Sequence, residues 1–451
     1  MATRHEKHGD HVLAVTHATT VAHLVAYGHR GDWDHGPVGA YPVLLELAGR
    51  RAVVVGGGPV ALRRARGLLA AGASVAVIAP AVLPELTELS EVAVSLRSYA
   101  DGDLDGAWVV HACTDDPAVN AAVAAEAERR RIPCVRADDA AGGSARTPAV
   151  SRGAGLVVAV GSDGDPDPTR VAAVRDAVAL LLETGELPLR TGRPAAGRVA
   201  LVGGGPGDPE LITVRGRRLL AEADVVVVDR LAPLVLLDRL DPGVEVVDVG
   251  KVPHGAGPAQ EQISALLVDR ARAGKRVVRL KGGDPFVLGR GGEEVAACVR
   301  AGVPVTVVPG VTSATAGPAA AGIPVTHRGV AADFAVVSGH VEPSPDRAPG
   351  ESSGSVIDWQ ALADGPATLV LLMALDRVGA AAAELVKRGR PGSTPVAVVR
   401  SATLPDQQVL VATLDTVAAA VAEAGLRPPA VVVVGDVVGL RDRLWAGSPP
   451  S

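Results

Sequence analysis

Short valine-rich runs return along this chain, each followed by a stretch patterned for a helix, and that alternation constrains the fold more than any other feature. Arg51-Ala-Val-Val-Val55 is the first run, and a helix pattern follows through Leu62 to Ala70. Ser74-Val-Ala-Val-Ile78 and Ala107-Trp-Val-Val-His-Ala112 read as further strands, with a helix expected over residues 117–131. Leu156-Val-Val-Ala-Val160 is a last strand before a helix over residues 169–183. Strands that alternate with helices at this spacing form βαβ units and a parallel sheet. Aromatic residues make up 2% of a chain that is 48% hydrophobic, so the core must be built from Val, Ala and Leu.

A chain of 451 residues holds two or three domains on the usual size scale. Residues 184–197 are rich in Gly and Pro and lack an apolar period, so they read as a linker between one α/β domain at 41–183 and another at 198–451. Residues 341–355, rich in Pro, Ser and Gly, read as a surface loop. Residues 1–40 differ from the rest. They carry seven of the eleven histidines, and six of these (His5, His11, His17, His23, His29, His35) recur every six residues. On a helix each such step turns by about 240°, so the rings cannot converge as i, i+4 ligands would. The segment reads as a solvated extension with no metal site and no assigned function.

The balance of charge excludes other classes. Net charge is −6 and no Lys/Arg block marks a nucleic-acid footprint, while the few aromatics leave little for base stacking. Cys113, Cys134 and Cys298 are isolated, which fits a reducing compartment and not a disulfide framework or thiolate metal site. No apolar run approaches the roughly 18 residues of a membrane span, and no secretory signal opens the chain. A cytoplasmic protein is expected.

Three glycine-rich loops follow strands. Gly56-x-Gly58-x-x-Ala61 lies between a strand and a helix, where a dinucleotide fingerprint needs to be. The first glycine permits a tight turn and the second admits a pyrophosphate to the helix N-terminus. The acid that would take the ribose hydroxyls about 20 residues on is absent, and the chain reads Val77-Ile-Ala-Pro80 there. Gly203-Gly-Gly-Pro-Gly-Asp208 follows the strand at 198–202, and its Pro206 separates it from a simple G-x-G-x-x-G helix start. Residues 279–294 pack five glycines with Lys281, Asp284 and Arg290, and a loop of that kind lets backbone groups approach a ligand closely. With only five lysines against 39 arginines, a lysine inside a motif stands out.

These loops, with Val308-Pro-Gly-Val-Thr-Ser-Ala-Thr-Ala-Gly317, make residues 198–445 resemble uroporphyrinogen-III C-methyltransferases, the tetrapyrrole methylases that use S-adenosylmethionine. The resemblance implies donor contacts from Pro206, Gly282, Gly283, Asp284, Val287, Thr312, Ser313 and Met373. A further family contact, a glycine, falls at Ala402, and an alanine that cannot take positive φ freely should reshape that edge. The resemblance also implies that Asp229, closing the strand that starts at Val225, accepts a proton and that Lys251 donates one. Arg230, Arg279, Arg290 and Arg328 are candidate clamps for a substrate rich in carboxylates.

Residues 41–170 resemble the precorrin-2 dehydrogenase/sirohydrochlorin ferrochelatase module of multifunctional siroheme synthases. The matching text is residues 53–66, Ala112-Cys-Thr-Asp-Asp-Pro-Ala-Val-Asn120 and Arg130-Arg-Ile-Pro-Cys134. This implies NAD contacts from Gly56, Gly58, Pro59, Val60, Pro80 and Ala81, and a key carboxylate at Asp138. The expected fold class is therefore α/β, a Rossmann-like parallel-sheet domain followed by a tetrapyrrole methylase domain. The expected activity is double methylation of uroporphyrinogen-III to precorrin-2, NAD-dependent oxidation to sirohydrochlorin and insertion of Fe2+ as substrate, in a homodimer. Two alternatives stay open: a methyltransferase with a degenerate first domain, and a first domain that only senses nucleotide or serves as a scaffold.

Overall fold

The computed structural model describes residues 41–162, 166–187, 189–191, 196–250, 259–339 and 357–445. The histidine-rich segment, Lys251 and the loop at 341–355 lie outside the described residues. The described residues form two compact units, one made of those up to Ala149 with those of Val160–Ala172, the other of Val150–Ala159 with those from Ala173 onward.

In the first unit the β-branched runs form five strands: β1 (Arg51–Val55), β2 (Ser74–Ala79), β3 (Val92–Leu96), β4 (Val109–Ala112) and β5 (Cys134–Arg136). All pair in parallel, in the order β3-β2-β1-β4-β5. The order reverses between β1 and β4, and in open α/β sheets a ligand crevice opens at that point, beyond the strands' carboxyl ends. Helix Pro59–Ala70 begins with a proline, whose missing N–H costs nothing there, and buries Ala61, Ala65 and Leu68 along one stripe. Strand β4 starts two residues later than the expected 107, because Trp108 turns outward and the Arg50 guanidinium stacks 3.5 Å from its ring centroid.

The last expected strand has a partner that periodicity does not reveal. Strand β6 (Ala149–Gly153) pairs with β7 (Leu156–Val160) across a two-residue turn in which Ala154 and Gly155 both take positive φ (51° and 75°). Helix Pro168–Thr184 follows, leaving Val174 and Leu180 exposed.

The second unit is built on two further five-stranded sheets. In the first, β8 (Arg198–Gly203), β9 (Val225–Val228), β10 (Glu245–Asp248), β11 (Arg276–Lys281) and β12 (Val305–Val308) are all parallel in the order β10-β9-β11-β8-β12. In the second, β13 (Phe334–Ser338) runs parallel to β14 (Thr368–Leu372), while β14, β17 (Ala430–Val434), β15 (Pro395–Arg400) and β16 (Gln408–Thr413) pair antiparallel in that order. Valine, alanine and leucine fill both cores, as the scarcity of aromatics requires. Within the stretch read as a linker, Leu189 is buried and its N–H donates to the Ala221 carbonyl at 3.1 Å. Arg190 donates to Asp224 at 3.2 Å and to Asp241 at 3.0 Å. Arg276 grips the same Asp224 with two bonds of 2.9 Å, and these arginines hold that carboxyl well below the usual range.

Candidate active sites

Because β8, β9, β11 and β12 are parallel, their carboxyl ends open on one edge, and every loop expected to meet the methyl donor except those at Met373 and Ala402 leaves from it. Backbone packing there is close enough to demand glycine. A Cβ on Gly203 would lie 2.5 Å from the Gly310 nitrogen and 2.6 Å from the Gly283 carbonyl. Gly283, at φ +63, donates to the Gly205 carbonyl at 2.6 Å and lies beside Thr312 and Ser313. Asp284 ties two loops together, one oxygen accepting from the Phe286 N–H at 2.8 Å and the other from the Gly310 N–H at 3.0 Å. Thr312 caps helix Ser313–Ala320 by accepting from the Ala314 N–H. Val287 packs on the core of the second sheet. Pro206 lies within the turn whose next residues meet the 401–404 segment, where the Asp208 N–H donates to the Thr403 hydroxyl at 3.1 Å.

Two expectations are corrected here. Ala402 does not take positive φ. Its neighbours do, Ser401 at 48° and Thr403 at 70°, and the Ala402 side chain is buried with Ala314 and Val431, so the methyl group fits the local backbone. Met373, by contrast, is held at φ 56° and is exposed just beyond β14, a strained position of the kind found at ligand sites. The second correction concerns Arg279, which is only 3% exposed and cannot clamp a substrate from inside the core. Arg290 is exposed but forms a two-point pair with Glu293, and Arg230 and Arg328 are exposed.

Asp229 follows β9 at that same edge. One carboxylate oxygen accepts from the Leu231 N–H at 3.2 Å and the other from Arg279 at 3.1 Å. Behind it, Arg279 Nε donates to Glu294 at 3.1 Å, and Lys281 lies 3.3 Å from the other Glu294 oxygen. Burial and the neighbouring Arg279 push the Lys281 pKa down. Glu294 reaches Asp229 only through Arg279, and its pairing with Arg279 and Lys281 arises only when helix Gly291–Arg300 brings it against β11, which the sequence does not reveal.

In the first unit, Gly56 takes φ +129 against the Cys113 carbonyl, and a Cβ on Gly57 would come within 2.0 Å of the Ala81 carbonyl. Gly57, an unspecified position of the fingerprint, is therefore as constrained as Gly56. The Leu83 N–H donates to the Gly57 carbonyl at 2.9 Å, which brings Pro80 and Ala81 against the glycine turn. Gly58 differs: its φ is −87, and a Cβ there would meet nothing within 4 Å. Pro59 and Val60 begin the helix beyond it. A turn this tight, ending in free helix N–H groups with open space over Gly58, fits a dinucleotide's pyrophosphate.

Asp138 lies past β5 on the same carboxyl edge. Arg136 donates to both of its oxygens, at 3.2 and 2.7 Å, and these bonds hold its pKa down to about 2. Fully buried Asn120, its amide fixed by bonds to Thr114, adds a smaller push in the same direction. Under the turn, burial lowers His111 to about 4 and raises the Cys113 thiol to about 11. Among the described residues no group of three or more His, Cys, Asp or Glu is placed to hold a metal ion, and no helix is long and apolar enough to cross a membrane.

Comparison with known proteins follows the same division. Residues 198–418 match the model of the Tetrapyrrole (Corrin/Porphyrin) Methylases and residues 43–149 that of a Putative NAD(P)-binding family. The siroheme synthase of Chromobacterium violaceum is 38% identical over 90% of this chain and 96% of its own length. That of Pseudomonas entomophila is 38% identical over 89% and 97%. The uroporphyrin-III C-methyl transferase of Thermus thermophilus, solved with S-adenyl homocysteine, is 46% identical over 54% of this chain and all of its own, with a TM-score of 0.46. Relatives that align across both glycine-loop sites, almost end to end, place this chain in the siroheme synthase family.

Proposed function

We propose that the second unit methylates uroporphyrinogen-III twice to precorrin-2 and that the first unit oxidises precorrin-2 to sirohydrochlorin. The observation that carries this reading is Asp229, partly exposed and fixed through both oxygens at the sheet edge from which most of the donor loops leave. When bound, S-adenosylmethionine supplies the methyl group and NAD accepts the hydride. Pro206, Gly282, Gly283, Asp284, Val287, Thr312, Ser313, Met373 and Ala402 would hold the donor, and Gly56, Gly58, Pro59, Val60, Pro80 and Ala81 the dinucleotide. Each Asp229 oxygen keeps a lone pair beyond its protein bond, so the carboxylate can take the proton that a ring loses on methylation. Lys251, one residue after Gly250, is the proton donor in this reading. Asp138 is ionised near neutral pH and serves as the carboxylate of the first site.

A cytoplasmic homodimer belongs to the same proposal. The three cysteines are free and buried, and the apolar residues left exposed on β6, β7 and helix Pro168–Thr184 are available to a second copy. One observation favours a second reading, in which the first unit binds nucleotide without turning over precorrin-2: Arg136 occupies both oxygens of Asp138. Incubating the protein with uroporphyrinogen-III and S-adenosylmethionine, with and without NAD, and recording absorbance spectra separates the two. Precorrin-2 without NAD and sirohydrochlorin with it supports the proposal; precorrin-2 in both supports the second reading; no methylated product refutes both. Adding Fe2+ to the complete mixture tests iron insertion.

A further inference from the structure

Strand β11 is buried along its whole length although three of its six residues are basic. Val278 and Leu280 face the core that holds Leu220 and Ile212. Val277, Arg279 and Lys281 face the other side, where helices Gln260–Arg272 and Gly291–Arg300 pack, so that face turns from apolar to charged as it nears the donor loop. There Arg279, Lys281, Asp229 and Glu294 balance in formal charge. Arg279 and Lys281 are no more than 5% exposed and Glu294 is wholly buried. Such a buried cluster stabilises a fold weakly compared with apolar packing of the same volume, so stability alone does not explain it.

We propose that Glu294 and Arg279 are positioning residues for Asp229, Glu294 holding the guanidinium from behind while Arg279 sets the carboxylate. The proposal rests on the reading of Asp229 as proton acceptor. Every nitrogen of Arg279 is engaged: Nε with Glu294, one Nη with Asp229, and the other with the carbonyls of Val227 at 3.3 Å and Leu280 at 3.1 Å. The planar fork therefore cannot swing, and it transfers the geometry of β9 and β11 to the carboxylate. Glu294 also accepts from Gln260 at 3.1 Å, which fixes it from a second helix. The donor loop leaves β11 at Lys281 and enters its helix at Gly291, so both of its stems are anchored on Glu294. Base and donor loop thus share one buried anchor, and displacements of either are felt by both.

The test is a double-mutant cycle in the full-length chain, using Glu294→Gln, Asp229→Asn and the pair. The readouts are kcat and KM for methylation, calorimetric affinity for S-adenosylmethionine, and thermal unfolding. Glu294→Gln keeps the shape and removes the charge. Loss of alignment at the reacting centre lowers kcat about tenfold or more, since misplacement by about 1 Å costs about 10²-fold. In the Asp229→Asn background the same change costs less than about twofold, because residues acting through one group are not additive. Arg279→Lys, which keeps the charge but loses the fork, gives the same pattern and carries the cycle if Glu294→Gln does not fold. An equal loss of kcat in both backgrounds overturns the proposal, as does a loss confined to donor affinity. If Asp229→Asn alone retains kcat, the reading of Asp229 has failed, and the single variant shows this before the cycle is complete.

Discussion

Gly58→Asp separates the two activities most cleanly, because its three adjacent glycines respond differently to an added side chain. At Gly57 a Cβ would strike backbone at 2.0 Å, and at Gly56 it would strike the Cys113 carbonyl at 2.5 Å, so substitutions there disturb the turn itself. Gly58 has an ordinary φ of −87 and open space around its Cβ position. It is also the N-cap of helix Pro59–Ala70, and aspartate is a favoured N-cap, so the fold should keep its stability or gain slightly. The carboxylate would, however, occupy the approach to the helix N-terminus and face a diphosphate. Two unit charges about 5 Å apart at an effective dielectric of about 20 repel by about 3 kcal/mol, equivalent to about 10²-fold in affinity. Calorimetric titration with NAD should therefore show at least that loss, with the unfolding temperature and methyl transfer unchanged. NAD affinity within about twofold of the unmodified chain would refute the placement of the pyrophosphate at this turn.

Asp229→Asn should lower methylation kcat by about 10²–10⁴-fold with little change in donor affinity, by steady-state kinetics and calorimetry. His111 is buried and its pKa falls from 6.5 to about 4, so the unfolded chain binds a proton that the folded one refuses. The first unit should therefore lose stability as pH falls through that window, by about 3 kcal/mol in total, and His111→Phe should flatten the denaturant-midpoint profile there. Ala402→Gly should cost about 0.5–1 kcal/mol in chemical denaturation, because the alanine already fits and glycine leaves the unfolded chain more freedom. Arg136→Gln should raise the Asp138 pKa from about 2 towards the ordinary carboxylate value, which NMR titration can follow; an unmoved value would show that Asn120 holds it instead.

Strands β1, β2, β4, β8, β9 and β11 were legible because their residues are mostly apolar, and the loops because glycine clusters mark where backbones approach, whereas β3, β5, β10 and β12 are short or broken by polar residues and were not. Strand β6 was not: Ala149-Val-Ser-Arg-Gly153 has no apolar period and forms only because the Ala154–Gly155 turn folds it onto β7. The mixed sheet of the second unit was hidden for another reason, since strand direction is set by crossovers that leave no mark on a single run. Asp229 could be found from its place at a strand end. The role of Arg279 could not, because a basic residue in a strand reads as a ligand clamp until its acidic partner, fifteen positions later, is brought beneath it.

The docking of residues 189–191 bears on how such fused chains can be divided. The match to the methylase family begins at residue 198, yet Leu189 is inserted in the second unit and Arg190 supplies one of the two arginines that neutralise Asp224. A breakpoint at 198 would leave that carboxylate with a single guanidinium and uncover the site of Leu189. Fission or recombination between the two genes thus has a preferred seam upstream of residue 189, where the split preserves the bonding of both strand ends and the methylase half carries its own N-terminal strap away with it.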